Sequence, residues 1–247
     1  EPIGSGGVGI TARFLAFCLV IVGAALASVA GTAKQGGSLI RRSPLLLLIV
    51  GISFFLGVSD EGFDRLWEAQ FLLEVGVPGF WGLDQVVWFG LLGSGSIVLA
   101  IAVAKPVTER LSAAGPRRMA RALLLFDVLR VAALLAFAFA GSFALALAAF
   151  WGARLARSLA NPVHSTWLNA NVEDSRVRAT VLSMTNVFGS AGEWGGGPVL
   201  GGIGNAFGVR AAIGGAALAL LPALGLYGRA IRHHGREPAL APDLSPV

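Results

Sequence analysis

The stretch SDEGFDRLWEAQ (59–70) places Asp60, Glu61, Asp64, Arg65 and Glu68 almost side by side. Apolar runs flank it on both sides, PLLLLIVGISFFLGV before and FLLEVGVPGFW after. Carboxylates and a guanidinium in such a setting can bind a proton, a cation or a polar solute. Charge inside an apolar span is expensive and is retained where it faces protein or a water-filled cavity. Protonating a carboxylate removes the desolvation cost of its charge, which gives a physical route to proton coupling. The competing reading is a solvated loop.

Three further groups bear on the same chemistry. Glu193 interrupts another apolar run, between Gly192 and Trp194. It is a second candidate for proton or cation binding, or else one half of a structural pair with an Arg. Arg154 and Arg157 lie one turn apart in FWGARLARSLAN. They can take an anionic substrate or pair with an acid across a bundle, and Arg157 is placed to snorkel to an interface. Asp127 and Arg130 are three apart, a spacing that predicts an intrahelical pair.

Other chemistry finds no support. The single cysteine, Cys18, lies in an apolar run and gives neither a disulfide framework nor a thiolate metal site. His164 stands alone, and His233 and His234 fall in a basic tail, so no metal centre is expected. The segment GSGGVG (4–9) fits G-x-G-x-x-G but lacks the acidic residue that follows in dinucleotide sites. Neither H-E-x-x-H nor G-x-S-x-G occurs. Neither an enzyme nor a cofactor is expected.

The elements that carry these residues follow from composition. The 247 residues are 55% hydrophobic and 13% charged, with mean hydropathy +0.73. Soluble domains carry roughly 25% charged residues. The deficit and the long apolar runs point to an all-α integral membrane protein whose first partner is the lipid bilayer. Strands of alternating polarity, the mark of a transmembrane barrel, are absent from the pattern. Net charge is +5, but the basic residues are scattered between apolar segments, which excludes a nucleic-acid surface.

Apolar stretches run over about 11–31, 44–75, 84–104, 119–140, 143–163, 179–203 and 210–228. The first is a span or an interfacial helix. Lys and Arg cluster in alternate connections: Lys34, Arg41 and Arg42, then Lys105 to Arg121, then Arg176 and Arg178, then Arg229 to Arg236. Such asymmetry sets orientation, and it places the C-terminus and the start of the second stretch in the cytoplasm. With a rise of about 1.5 Å per residue, Glu61 and Glu193 both lie roughly 20–25 Å into their helices. Gly57 and Gly62 flank the acidic cluster, where helices are often broken. Gly192/Gly196, Gly197/Gly201 and Gly204/Gly208 are spaced for close helix packing, and Pro198 is expected to bend or break its helix.

The loop AKPVTERLSAAGPRRMARALL (104–124) sets Glu109-Arg110, Gly115 and Arg117-Arg118 between two spans. This resembles the loop signature of the major facilitator superfamily, with a stretched spacing and no leading Gly. The stretch from 153 to 204, with Arg178-Ala179-Thr180 and Ser183 opening a span, is similar to the tenth and eleventh helices of its drug-efflux-like bacterial members. The run Glu61–Trp67 resembles part of their seventh helix.

The resemblance covers about 44–230 and implies the C-terminal six-helix half of that fold. Residues 1–43 are then a linker with a possible extra membrane or interfacial helix, and 231–247 a disordered cytoplasmic tail. The chain begins with Glu rather than Met and is expected to be part of a longer protein. The function implied is alternating-access transport of a small solute, with proton-coupled efflux across the bacterial inner membrane. The residues implied for substrate or proton binding are Glu61, Asp64, Arg65 and Glu193, with Arg154. The partners implied are a small-molecule substrate and a missing N-terminal half or a second copy. The alternative is a non-transporting membrane subunit.

Overall fold

The computed structural model describes residues 44–76, 84–112, 115–172 and 175–234. Every regular element among them is a helix, and no strand occurs among the described residues. The possible span at 11–31 and the end of the tail lie outside them.

The chain's own punctuation sets the helix ends. Helix α1 (Pro44–Ala69) continues into one wider π-helical segment, Gln70–Val75, and stops at Gly76. Gly76 has φ 80° and donates its N–H to the Phe71 carbonyl at 2.9 Å, a left-handed turn that glycine makes without steric cost. Helix α2 (Gln85–Ser112) follows, then α3 (Pro116–Ala138), which begins with Pro at its first position, where the missing N–H costs nothing. Helix α4 (Phe143–Ala170) is capped by Ser142, whose hydroxyl accepts from the Leu145 N–H. Helix α5 (Ser175–Phe207) ends at Gly208, φ 90°. Two shorter helices, α6 (Val209–Leu218) and α7 (Leu221–His234), complete the chain described. The helix therefore runs on through residues 231–234.

Four segments are long and apolar enough to cross a membrane: Leu45–Val75, Gln85–Leu111, Phe143–Ala170 and Val209–Arg232. Helices α3 and α5 are not among them. Arg121, Asp127 and Arg130 charge α3, and Gly, Ser, Thr and Asn dilute the hydropathy of α5.

Two apolar cores stack along the bundle. One gathers Ile49, Ile52, Leu123, Val163, Trp167 and Tyr227; the other gathers Phe63, Phe71, Leu134, Phe137, Phe150 and Ile213. The second is aromatic, with Phe63 edge-on to Phe137 at 5.9 Å and Trp67 tilted over Phe150 at 4.8 Å. Such pairs add about 0.5–1.5 kcal/mol each beyond area burial. Between the cores, α1, α3 and α4 each carry charge: Asp60 and Asp64, Asp127 and Arg130, Arg154 and Arg157.

The charged part of α1 is unbroken, contrary to the expectation from Gly57 and Gly62. Gly57 instead lets α1 touch α5, because a Cβ there would collide with the Gly189 carbonyl. A Cβ on Gly192 would strike the Phe54 carbonyl, and one on Gly196 would lie 2.9 Å from the Val58 Cα. The Gly192/Gly196 pair therefore packs as its spacing predicts. Gly201 faces open space, and Gly208 makes a turn, so the other two pairs do not form equivalent contacts. Pro198 lies within α5 without ending it. The N–H that proline lacks leaves only one rung of the ladder unmade.

Candidate functional site

Packing brings acids from α1 against guanidinia from α3 and α4. Asp60 accepts from Arg130, and its Oδ1 lies 3.3 Å from Arg157 Nε. Asp64 accepts from Arg157 Nη1 at 2.8 Å, and its other oxygen lies 4.0 Å from Arg154 Nη1. Arg157 thus bridges two acids that are one helical turn apart. The Arg154 guanidinium also sits 5.4 Å above the Phe150 ring, within cation–π range. The Arg130 side chain is 3% exposed and that of Asp60 17%, so this pair is held away from solvent. Breaking one partner of such a pair costs about 3–5 kcal/mol.

This network revises two expectations. Asp127 and Arg130 do not form the intrahelical pair that their spacing predicts. The Arg130 side chain crosses to α1, and both oxygens of buried Asp127 lack a hydrogen bond of ordinary geometry. Arg130 and Tyr227 remain within electrostatic reach of that carboxylate. Arg157 does not snorkel outward, because two carboxylates on α1 offer it charge-assisted bonds inside the bundle.

The other candidates lie on α1 and α5. Glu61 and Arg65 pair with each other at i, i+4, and the Arg65 side chain is 72% exposed. An ion pair that open contributes little to stability. Glu68 is exposed. Glu193, on α5, lines two cavities. One, of about 300 Å³, also touches Asp60, His164, Thr185 and Asn186. The other, of about 460 Å³, also touches Glu61, Arg65 and Trp194. Glu193 lies within electrostatic reach of Arg157 as well. The glycines at 189, 192 and 196 hold α5 backbone-close to α1, which carries Glu193 to the acidic side of that helix.

A third cavity, of about 500 Å³, opens between α1, α2 and α4. Asp64, Arg154, Arg157, Ser158 and Asn161 line it, with Ile97 and Ile101 from α2. The five sequence candidates therefore separate: Asp64 and Arg154 on this cavity, Glu61, Arg65 and Glu193 on the one of about 460 Å³. No group of three His, Cys, Asp or Glu side chains is placed to hold a metal ion among the described residues.

Asp60 is the residue that spacing alone failed to single out. The signal was present: Asp60 and Asp64 are four apart and share one face of α1, opposite a pair of arginines three apart on α4. His164 is not alone either. Its Nδ1 lies 3.1 Å from the Tyr227 hydroxyl, and its ring meets the Tyr227 ring edge-on.

No family model matches the chain, and no curated protein matches it closely enough to count as a relative.

Proposed function

We propose that this chain is one six-helix half of a membrane transporter that moves a small solute by alternating access, with proton-coupled efflux across a bacterial inner membrane. The observation that carries this reading is a layer of paired charge in mid-bundle that opens to two polar cavities, one lined by Asp64 and the other by Asp60. An ion-pair network between acids and arginines can exchange partners when a solute or a proton binds, and a static apolar bundle has no need of one. In this reading α3 and α5 also cross the membrane, their charges facing the bundle, and the Lys/Arg pattern leaves the C-terminus in the cytoplasm. Glu193 and Glu61 serve the proton or cation, Asp64 and Arg154 the solute, and Arg65 balances Glu61. The likeness to the major facilitator superfamily gives the mechanism: two halves rock about a site near the midplane.

A second reading, a non-transporting subunit that assembles with a partner half or a second copy, draws on α2. Several of its apolar side chains, among them Val86, Ile97, Val98 and Ile101, are exposed. Flux separates the two. Proteoliposomes holding the chain are given a pH gradient and radiolabelled benzenesulfonate or ethidium. Gradient-driven accumulation that Glu193→Gln abolishes supports transport. Equal flux in the variant removes Glu193 from the mechanism. Absence of gradient-driven movement of either probe, with crosslinking between copies, favours the subunit.

A further inference from the structure

The cavity between α1, α2 and α4 has walls of opposite character, and its charge does not cancel. Its polar wall carries two guanidinia, Arg154 and Arg157, against one carboxylate, Asp64. Asp60 is shared between Arg130 and Arg157 and does not itself line the cavity. Asp127 beside Arg130, and Glu193 within electrostatic reach of Arg157, balance the surrounding arginines, but the surplus on the cavity wall itself remains, because neither acid lines it. Asp127 is buried.

Within that surplus the two arginines differ. Arg157 is committed, with a 2.8 Å bond to Asp64 and a 3.3 Å contact to Asp60. Arg154 is held loosely, at 4.0 Å from Asp64 and above the Phe150 ring. Its side chain is 32% exposed and retains N–H donors for an incoming acceptor. Ser158 lies one turn further along α4 on the same wall and Asn161 two turns further, with polar groups for the rest of a ligand. The facing wall, from α2, is mostly apolar: Ile97 and Ile101 line it beside Ser96, whose hydroxyl donates to the Gly93 carbonyl. The volume of about 500 Å³ falls in the range of small-molecule sites.

We infer that this cavity binds an amphipathic organic monoanion. A carboxylate or sulfonate headgroup bonds to Arg154 and Ser158, and the apolar body lies against α2. One negative charge matches the surplus of one guanidinium on the wall. A cation is disfavoured beside two arginines, and a neutral analogue leaves Arg154 without its acceptor. The inference rests on the transport reading for the ligand's role as cargo; binding itself stands apart from it.

The test is calorimetric titration of the full chain in nanodiscs, with empty nanodiscs as blank. The probes are benzenesulfonate, benzenesulfonamide, benzyltrimethylammonium and 1,3-benzenedisulfonate. Saturable benzenesulfonate binding is expected, with the sulfonamide and the ammonium weaker by about tenfold or more, the value of a charge-assisted hydrogen bond. Arg154→Gln should cost benzenesulfonate about tenfold, and Arg154→Lys less, because the charge remains. Asp64→Asn raises the surplus to two and should shift preference toward the disulfonate. Arg154 is partly exposed, so these variants are expected to fold. Equal binding of sulfonate and sulfonamide, no saturable sulfonate binding, or an Arg154→Gln variant of unchanged affinity overturns the assignment. Preference for the ammonium overturns the anion class and leaves transport standing. Sulfonate binding lost in Arg154→Gln, without flux in proteoliposomes, supports the site and counts against transport.

Discussion

Arg130→Met tests the charge layer most directly. The Arg130 side chain is 3% exposed and pairs with Asp60 across the α1–α3 contact. Met keeps much of the volume and removes the charge. Losing one partner of a buried pair costs about 3–5 kcal/mol, mostly because the other charge is left uncompensated. Asp60 keeps Arg157 at 3.3 Å, which lowers the figure. Asp127 loses the cation one turn away on its own helix, which raises it. We therefore expect a loss of about 3 kcal/mol. Asp60→Asn should cost less, about 1–2 kcal/mol, since Arg130 can turn back toward Asp127 on its own helix. The double variant should then cost less than the two singles together, by a coupling of about 1–3 kcal/mol. Mixed-micelle denaturation of the purified chain, followed by circular dichroism, gives all three values. A single-variant loss below about 1 kcal/mol, or additivity within about 0.5 kcal/mol, would refute a buried Arg130–Asp60 pair.

Other expectations follow from particular contacts. Gly192→Ala should destabilise the bundle by about 1–3 kcal/mol through the collision with the Phe54 carbonyl. Gly195→Ala, where a Cβ meets open space, should be neutral or gain up to about 1 kcal/mol from helix propensity. Equal effects of the two in the same denaturation assay would rule out the α1–α5 contact. Gln70 donates to the Phe137 and Ala138 carbonyls at 3.1 and 3.0 Å, tying the π-helical segment to the end of α3. Gln70→Leu should cost about 1–3 kcal/mol and speed amide exchange around residues 70–75, whereas unchanged exchange would show that the segment holds itself. Tyr227→Phe removes the hydroxyl at His164 and should cost about 1 kcal/mol by thermal melting, with the aromatic packing kept.

Much of the helical scaffold can be read from the chain. Gly76, the Gly115-Pro116 step, Ser142 and Gly208 mark helix ends, because φ, N–H supply and side-chain capping act within a few residues. The apolar runs at 44–75, 84–104, 143–163 and 210–228 coincide with the helices long and apolar enough to cross a membrane. The ionisable residues that interrupt such runs, Asp60 to Arg65, Arg154 and Glu193, are also plain to see. Partner choice is not. The spacing of Asp127 and Arg130 satisfies the local pairing rule, yet Arg130 reaches Asp60 seventy positions away in the chain. Arg157 has apolar neighbours in sequence that point it toward an interface, yet it bridges Asp60 and Asp64. The physical reason is that an ion pair across helices depends on their rotation and separation. Here the bare glycines of α5 against α1 and the aromatic packing of α1 against α3 and α4 fix those quantities. The sequence by itself determined which helices form and which of them carry charge. The tertiary structure alone decided which charges meet, and so divided the candidates between a cavity lined by Asp64 and Arg154 and another lined by Glu61, Arg65 and Glu193.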